Sequence, residues 1–81
     1  MKPLRKLFGI RLQQIRSEQE CSQEKLAEAI HCTPQHLSEI ERGISGTHFD
    51  RVDKIAEFLN VPVEDLFRFS ELPKDLIEND Q

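Results

Sequence analysis

Apolar residues in the N-terminal stretch recur at helical intervals: Leu4, Leu7, Phe8, Leu12 and Ile15 fall on one face. Pro3 precedes them at a position that a helix start tolerates. The apolar face fades at Ser17, so the polar stretch to Glu20 closes a first helix. Ser22 is the next N-cap, with Gln23 and Glu24 in the first turn, where negative charge suits the helix dipole. Leu26, Ala27 and Ile30 supply the inward stripe of a short second helix. Thr33 and Pro34 then open a third as cap and first helical residue. Its Leu37 and Ile40 face inward, and Gly43 is a natural C-terminal stop. Two helices of about eight or nine residues joined by so tight a turn spell a helix-turn-helix.

Beyond the loop from Ile44 to His48, the residues Phe49, Val52, Ile55, Ala56 and Leu59 mark a fourth helix, with Thr47 and Asp50 at capping-box spacing. Asn60 suits the left-handed backbone that closes such a helix. Pro62 opens a short fifth helix carrying Val63, Leu66 and Phe67. From Ser70 onward, Leu72, Leu76 and Ile77 stand among acids around Pro73, a pattern that fits a sixth short helix, a dimer contact or a loose end. The pattern therefore predicts an all-α bundle of five helices over residues 1–69, its motif at about 23–42, followed by a tail over 70–81.

A chain of 81 residues makes one domain with a modest core. Its 37% hydrophobic and 32% charged residues exclude a disordered chain. No apolar run is long enough to span a membrane and no signal-peptide pattern opens the sequence, which points to the cytoplasm. In that reducing compartment Cys21 and Cys32, both on inward positions, are expected as thiols rather than a disulfide. Cys21, Cys32, His31 and His36 lack a familiar ligand spacing, so no metal or cofactor is expected. With no nucleophile–base pair and no phosphate loop, an enzyme is not expected either. The net charge of −4 is at odds with a polyanionic partner until it is resolved along the chain. Residues 1–17 hold Lys2, Arg5, Lys6, Arg11 and Arg16 with no acid, a local +5, whereas the rest hold six basic and fifteen acidic residues, a balance of −9. Phosphate affinity follows local potential rather than the total, so the asymmetry fits DNA binding through one face.

The run from Ser22 to Gly43, SQEKLAEAIHCTPQHLSEIERG, is preceded by Leu12, Ile15 and Arg16 as L-x-x-I-R and followed by VDKIAEFLNVPVEDLF. Together, over about residues 8–67, these segments resemble the phage-repressor (lambda-repressor-like, Cro/XRE-type) helix-turn-helix family. The resemblance implies a five-helix fold and a sequence-specific double-stranded-DNA-binding transcriptional regulator, a repressor reading a palindromic operator as a homodimer. Half-sites would lie about 10 base pairs apart. It assigns base contacts to the exposed part of the third helix, at Gln35, His36, Ser38 and Glu39. Gln35 can pair with adenine, His36 can donate to guanine, and Glu39 can accept from cytosine. Ser22, Gln23 and Thr33, at helix N-termini, are then phosphate-facing, with Arg42, Lys25 and Arg11 as further phosphate contacts. Arg16 and Glu41 are implied as an internal ion pair holding the first helix against the third, and Ala27 as the small residue at the helix crossing. Leu66, Phe67, Phe69 and Leu72 are candidates for the dimer contact, or else they close the core.

The sequence departs from the family pattern in four places. His31 and Glu20 stand where glycine is usual, which puts a side chain on left-handed backbone. The loop from Ile44 to His48 lacks lysine and arginine, and Glu39 turns a carboxylate toward a polyanion. These features, with the acidic balance, also fit a protein-binding adaptor on the same fold, antitoxin-like or anti-repressor-like. In that reading Gln35 and His36 are solvated surface residues.

Overall fold

The N-terminal apolar stripe becomes α1, Leu4–Glu18, which buries Leu7, Phe8, Leu12 and Ile15. It is followed by α2 (Gln23–Ala29), α3 (Pro34–Glu41), α4 (Phe49–Leu59), two 3-10 turns at Val63–Phe67 and Phe69–Glu71, and α5 (Lys74–Glu78). The computed structural model describes residues 2–78, so the last three residues of the expected tail lie outside it. No strand occurs among the described residues. None of their helices is long and apolar enough to cross a membrane.

Two of the caps are made by side chains. The Ser22 hydroxyl accepts from the Lys25 amide at 3.1 Å, and the Thr33 hydroxyl accepts from the His36 amide at 3.0 Å, satisfying one orphan donor in each helix. The turns between helices need left-handed backbone: Glu20, His31 and Asn60 have φ of 56°, 60° and 58°. The Cβ of any L residue crowds the following carbonyl there, and asparagine tolerates this better than glutamate because its short polar side chain can hydrogen-bond the local backbone. The fully enclosed side chains Leu12, Leu26, Leu37, Ile40, Ile55, Leu59 and Leu66 come from α1 to α4 and the first 3-10 turn, so every one of these elements contributes to a single core.

α1 runs close against the C-terminal end of α3. A Cβ built on Gly9 would lie 2.5 Å from the carbonyl oxygens of both Ile40 and Glu41. Side chains of α1 and of its C-cap residue Gln19 also close the C-terminal ends of other helices, where carbonyls lack partners. The Arg5 Nε donates to the Gly43 carbonyl at 2.8 Å, and the Gln19 amide donates to the Leu59 carbonyl at 2.7 Å.

Two expectations are corrected. The N-cap of α4 is His48, whose carbonyl accepts from Val52, so the helix begins one residue later than a Thr47 cap requires. The Thr47 hydroxyl oxygen is instead buried without a hydrogen-bond partner. The short fifth helix expected after Pro62 is present at Val63–Phe67 and is 3-10 in type, closed by the Asp65 amide on the Pro62 carbonyl at 3.0 Å, because a segment this short tightens rather than completing α-helical turns. Leu66 and Leu72 are buried within the monomer and so are not dimer contacts. Phe67 stacks on Phe8 with ring centroids 5.3 Å apart, and Phe69 meets Phe67 edge-on at 6.2 Å.

Candidate nucleic-acid interface

The two ends of α3 are held differently. At its C-terminal end Glu41, almost fully buried, receives Arg16 Nε at 2.6 Å, Arg16 Nη2 at 3.1 Å and the Gln23 amide at 2.8 Å. A third nitrogen of Arg16 donates to the Cys21 carbonyl at 2.7 Å. A carboxylate at a helix C-terminus opposes the helix dipole, so Arg16 supplies the positive charge this end requires. The hydrogen bonds to Glu41 hold the Arg16 guanidinium above its ordinary pKa, against the opposing effect of burial. One residue of α1, one of α2 and one of α3 thus meet at a single carboxylate.

The N-terminal end has only its cap. Thr33, Pro34 and Gln35 are exposed, and His36, Ser38 and Glu39 are half-buried. The His36 Nδ1 lies 3.7 Å from Glu39 Oε1, and the Ser45 hydroxyl donates to the same oxygen at 3.4 Å. The Arg42 Nε donates to the Ser38 hydroxyl at 3.2 Å. Ser22, Lys25, Thr33 and Arg42 are exposed around this surface, at the first turns of α2 and α3 and at the end of α3. The structure therefore gathers Gln35, His36, Ser38 and Glu39 onto one short helix, with polar and basic groups nearby.

Two of the residues expected to face phosphate are otherwise engaged. Arg11 is buried, donating from Nε to the Asp65 carbonyl at 2.7 Å and from Nη1 to Gln14 at 2.6 Å. It ties α1 to the first 3-10 turn, and the phosphate assignment is withdrawn. Gln23 is half-buried and turns its side-chain amide inward to Glu41. Cys21 and Cys32 are free, half-buried thiols at the edge of the core. Burial pushes the Cys32 thiol up, with Arg51 and a backbone hydrogen bond from Leu37 opposing it. Among the described residues no group of three or more histidine, cysteine, aspartate or glutamate side chains is placed to hold a metal.

Three positions that matter here carried no assignment from sequence. Gly9 had a signal, since a lone glycine inside a periodic helix marks a close approach. Arg5, on the Gly43 carbonyl 38 residues away, had none, and neither did Ser45, whose contact with Glu39 depends on how the loop after α3 folds back.

A helix-turn-helix family model matches residues 12–66 of the chain. The control protein C.BamHI of Bacillus amyloliquefaciens is 40% identical over 68 residues, covering 83% of this chain and 84% of that protein. This chain belongs to the phage-repressor, Cro-type helix-turn-helix family. Solved structures agree. The clp gene regulator ClgR from Corynebacterium glutamicum superposes with a TM-score of 0.82 at 28% identity, over 85% of this chain and 73% of that one. The restriction-modification controller protein C.AhdI from Aeromonas hydrophila does so with a TM-score of 0.74 at 28% identity, over 78% of this chain and 96% of that one. As a member of this family the chain is a helix-turn-helix DNA-binding transcription regulator.

Proposed function

We propose that the chain is a sequence-specific regulator that reads a palindromic operator in double-stranded DNA as a homodimer and represses transcription from it. The observation that carries this reading is the exposed N-terminal half of α3, which offers Gln35 and His36 while its other end is locked to α1 and α2 by Glu41. A rigidly mounted helix end with amide and imidazole side chains is what major-groove readout requires. Base contacts then come from Gln35, His36, Ser38 and Glu39, and phosphate contacts from Ser22, Lys25, Thr33 and Arg42. The likeness to C.BamHI and C.AhdI, a control protein and a restriction-modification controller protein, supports a role as a dedicated controller acting without catalysis.

Selection from a randomised double-stranded DNA pool tests the reading. It predicts enrichment of a two-fold symmetric site. It also predicts that Gln35→Ala with His36→Ala abolishes that enrichment while leaving weak low-salt binding to any duplex. A pool that stays random under conditions where the protein is folded refutes specific readout.

The second reading, a protein-binding adaptor on the same fold, draws on Glu39. Its carboxylate is held by Ser45 beside His36 on the surface that would meet phosphate. An adaptor would keep its partner when Gln35 and His36 are replaced by alanine, provided the contact lies on another face.

A further inference from the structure

A groove of about 340 Å³ opens between the first turn of α1, the loop after α3 and the start of α4. Its inner lining is Phe8, Val52 and Phe67, and its rims are Leu4, 61% exposed, and Phe49, 86% exposed. Ile44, in the adjoining loop, is 57% exposed. A single exposed apolar residue needs no explanation, but an apolar groove bordered by two large ones does.

We propose that this face joins two copies of the chain, the Phe49 ring of each seated in the groove of the other. The proposal rests on the dimeric part of the function proposed above and gives it a surface, in place of the buried Leu66 and Leu72. Three observations select a second copy as the occupant. First, knob and hole lie side by side on one surface, which is the self-complementarity that a two-fold contact needs. Second, the size fits: an apolar cavity of about 150 Å³ holds a benzene ring, so this groove accepts a phenyl side chain with room to spare. Third, the charges on the face are complementary. Asp53, one helical turn beyond Phe49 on α4, is exposed, while the groove's other wall carries Arg5 and its neighbour Lys6 on α1. Interlocking two copies brings the acidic start of one α4 toward the basic start of the other α1, which fixes the register of the contact. Phe67, the one residue of the expected dimer set that lines the groove, becomes part of the receiving surface.

Sedimentation equilibrium on the full chain without DNA tests this surface separately from operator binding. Wild type is compared with Phe49→Glu and Leu4→Glu. Both positions are exposed, so circular dichroism is expected to give unchanged helix content and the fold serves as the control. The expected result is a concentration-dependent wild-type dimer whose dissociation constant rises by about 30-fold or more in each variant, as for a central aromatic anchor. Phe49→benzoylphenylalanine is expected to photo-crosslink to peptides containing Leu4 or Phe67 of the other copy. A wild-type dimer unaffected by either substitution, or crosslinked to a different face, overturns this surface and leaves the dimeric reading standing. A wild type that stays monomeric at all concentrations overturns both, and an enriched palindrome in the DNA selection would then need another contact.

Discussion

Replacing Glu41 offers the sharpest test of how α3 is held. Glu41→Leu removes the acceptor of three hydrogen bonds, leaving Arg16 half-buried with only the Cys21 carbonyl and the Gln23 amide with no partner at that position. Breaking one side of a buried ion pair costs about 3–5 kcal/mol, because the remaining charge is left uncompensated. A domain of 81 residues has roughly 4–12 kcal/mol of stability in total. The variant is therefore marginal. Urea unfolding followed by circular dichroism measures the loss, and with a slope of about 1 kcal/mol per molar the midpoint should fall by about 3 M or more. Arg16→Met should cost a similar amount, since Glu41 then keeps only Gln23. The double variant removes both charges and leaves two apolar side chains in contact, so its cost should be about 3 kcal/mol less than the sum of the singles. Additive singles, or a Glu41→Leu midpoint within about 0.5 M of wild type, would show that the pair is solvent-screened and that packing alone seats the helix.

Other consequences can be checked with the same methods. Gly9→Ala places a methyl against two backbone oxygens of α3, and overpacking of this kind costs about 2 kcal/mol, lowering the melting temperature by about 10 °C; an unchanged melt would mean the two helices are free to separate. Glu20→Gly and His31→Gly relieve left-handed strain and should each stabilise by up to about 1 kcal/mol, a drop in urea midpoint counting against the strain argument. Because burial raises the Cys32 thiol, the folded chain keeps that proton to higher pH than the unfolded chain does. Stability should therefore fall as pH climbs past the ordinary thiol value. Iodoacetamide labelling mapped by mass spectrometry should give Cys32 a reaction midpoint above the usual thiol range, and a midpoint at or below that range contradicts it.

Much of the fold could be read locally, since it rests on period and punctuation. The stripe from Leu4 to Ile15, the caps at Ser22 and Thr33 and the closing Asn60 depend on residues within a turn or two of one another. Glu20 and His31 were expected on left-handed backbone from their motif positions, and both are found there. What failed were choices between equally good local readings. Thr47 and His48 both stand near the start of α4, and only packing against the rest of the bundle decides which becomes the cap. Arg11 was grouped with the basic N-terminus, although it sits four residues from both Leu7 and Ile15 on the inward face. Its position foretold burial; its partner, the Asp65 carbonyl, is 54 residues away and left no local trace. Arg5, 38 residues from Gly43, was hidden in the same way. Leu66 and Leu72 show the converse problem, because a C-terminal apolar residue reads identically whether it closes its own core or a neighbour's.

The asymmetric mounting of α3 also bears on how such a protein can change over time. Glu41, Ile40 and Leu37 tie the helix to the bundle, whereas Gln35 lies exposed beyond the last of them and makes no contribution to the core. Substitutions at the exposed end are therefore nearly invisible to folding, and the chain can drift through different side chains there without passing through an unstable intermediate. If α3 reads the operator as proposed, selection on which sequence is bound and selection on whether the chain folds act on separate residues of one eight-residue helix. A duplicated copy could acquire a new target by altering a few exposed positions while inheriting its scaffold unchanged.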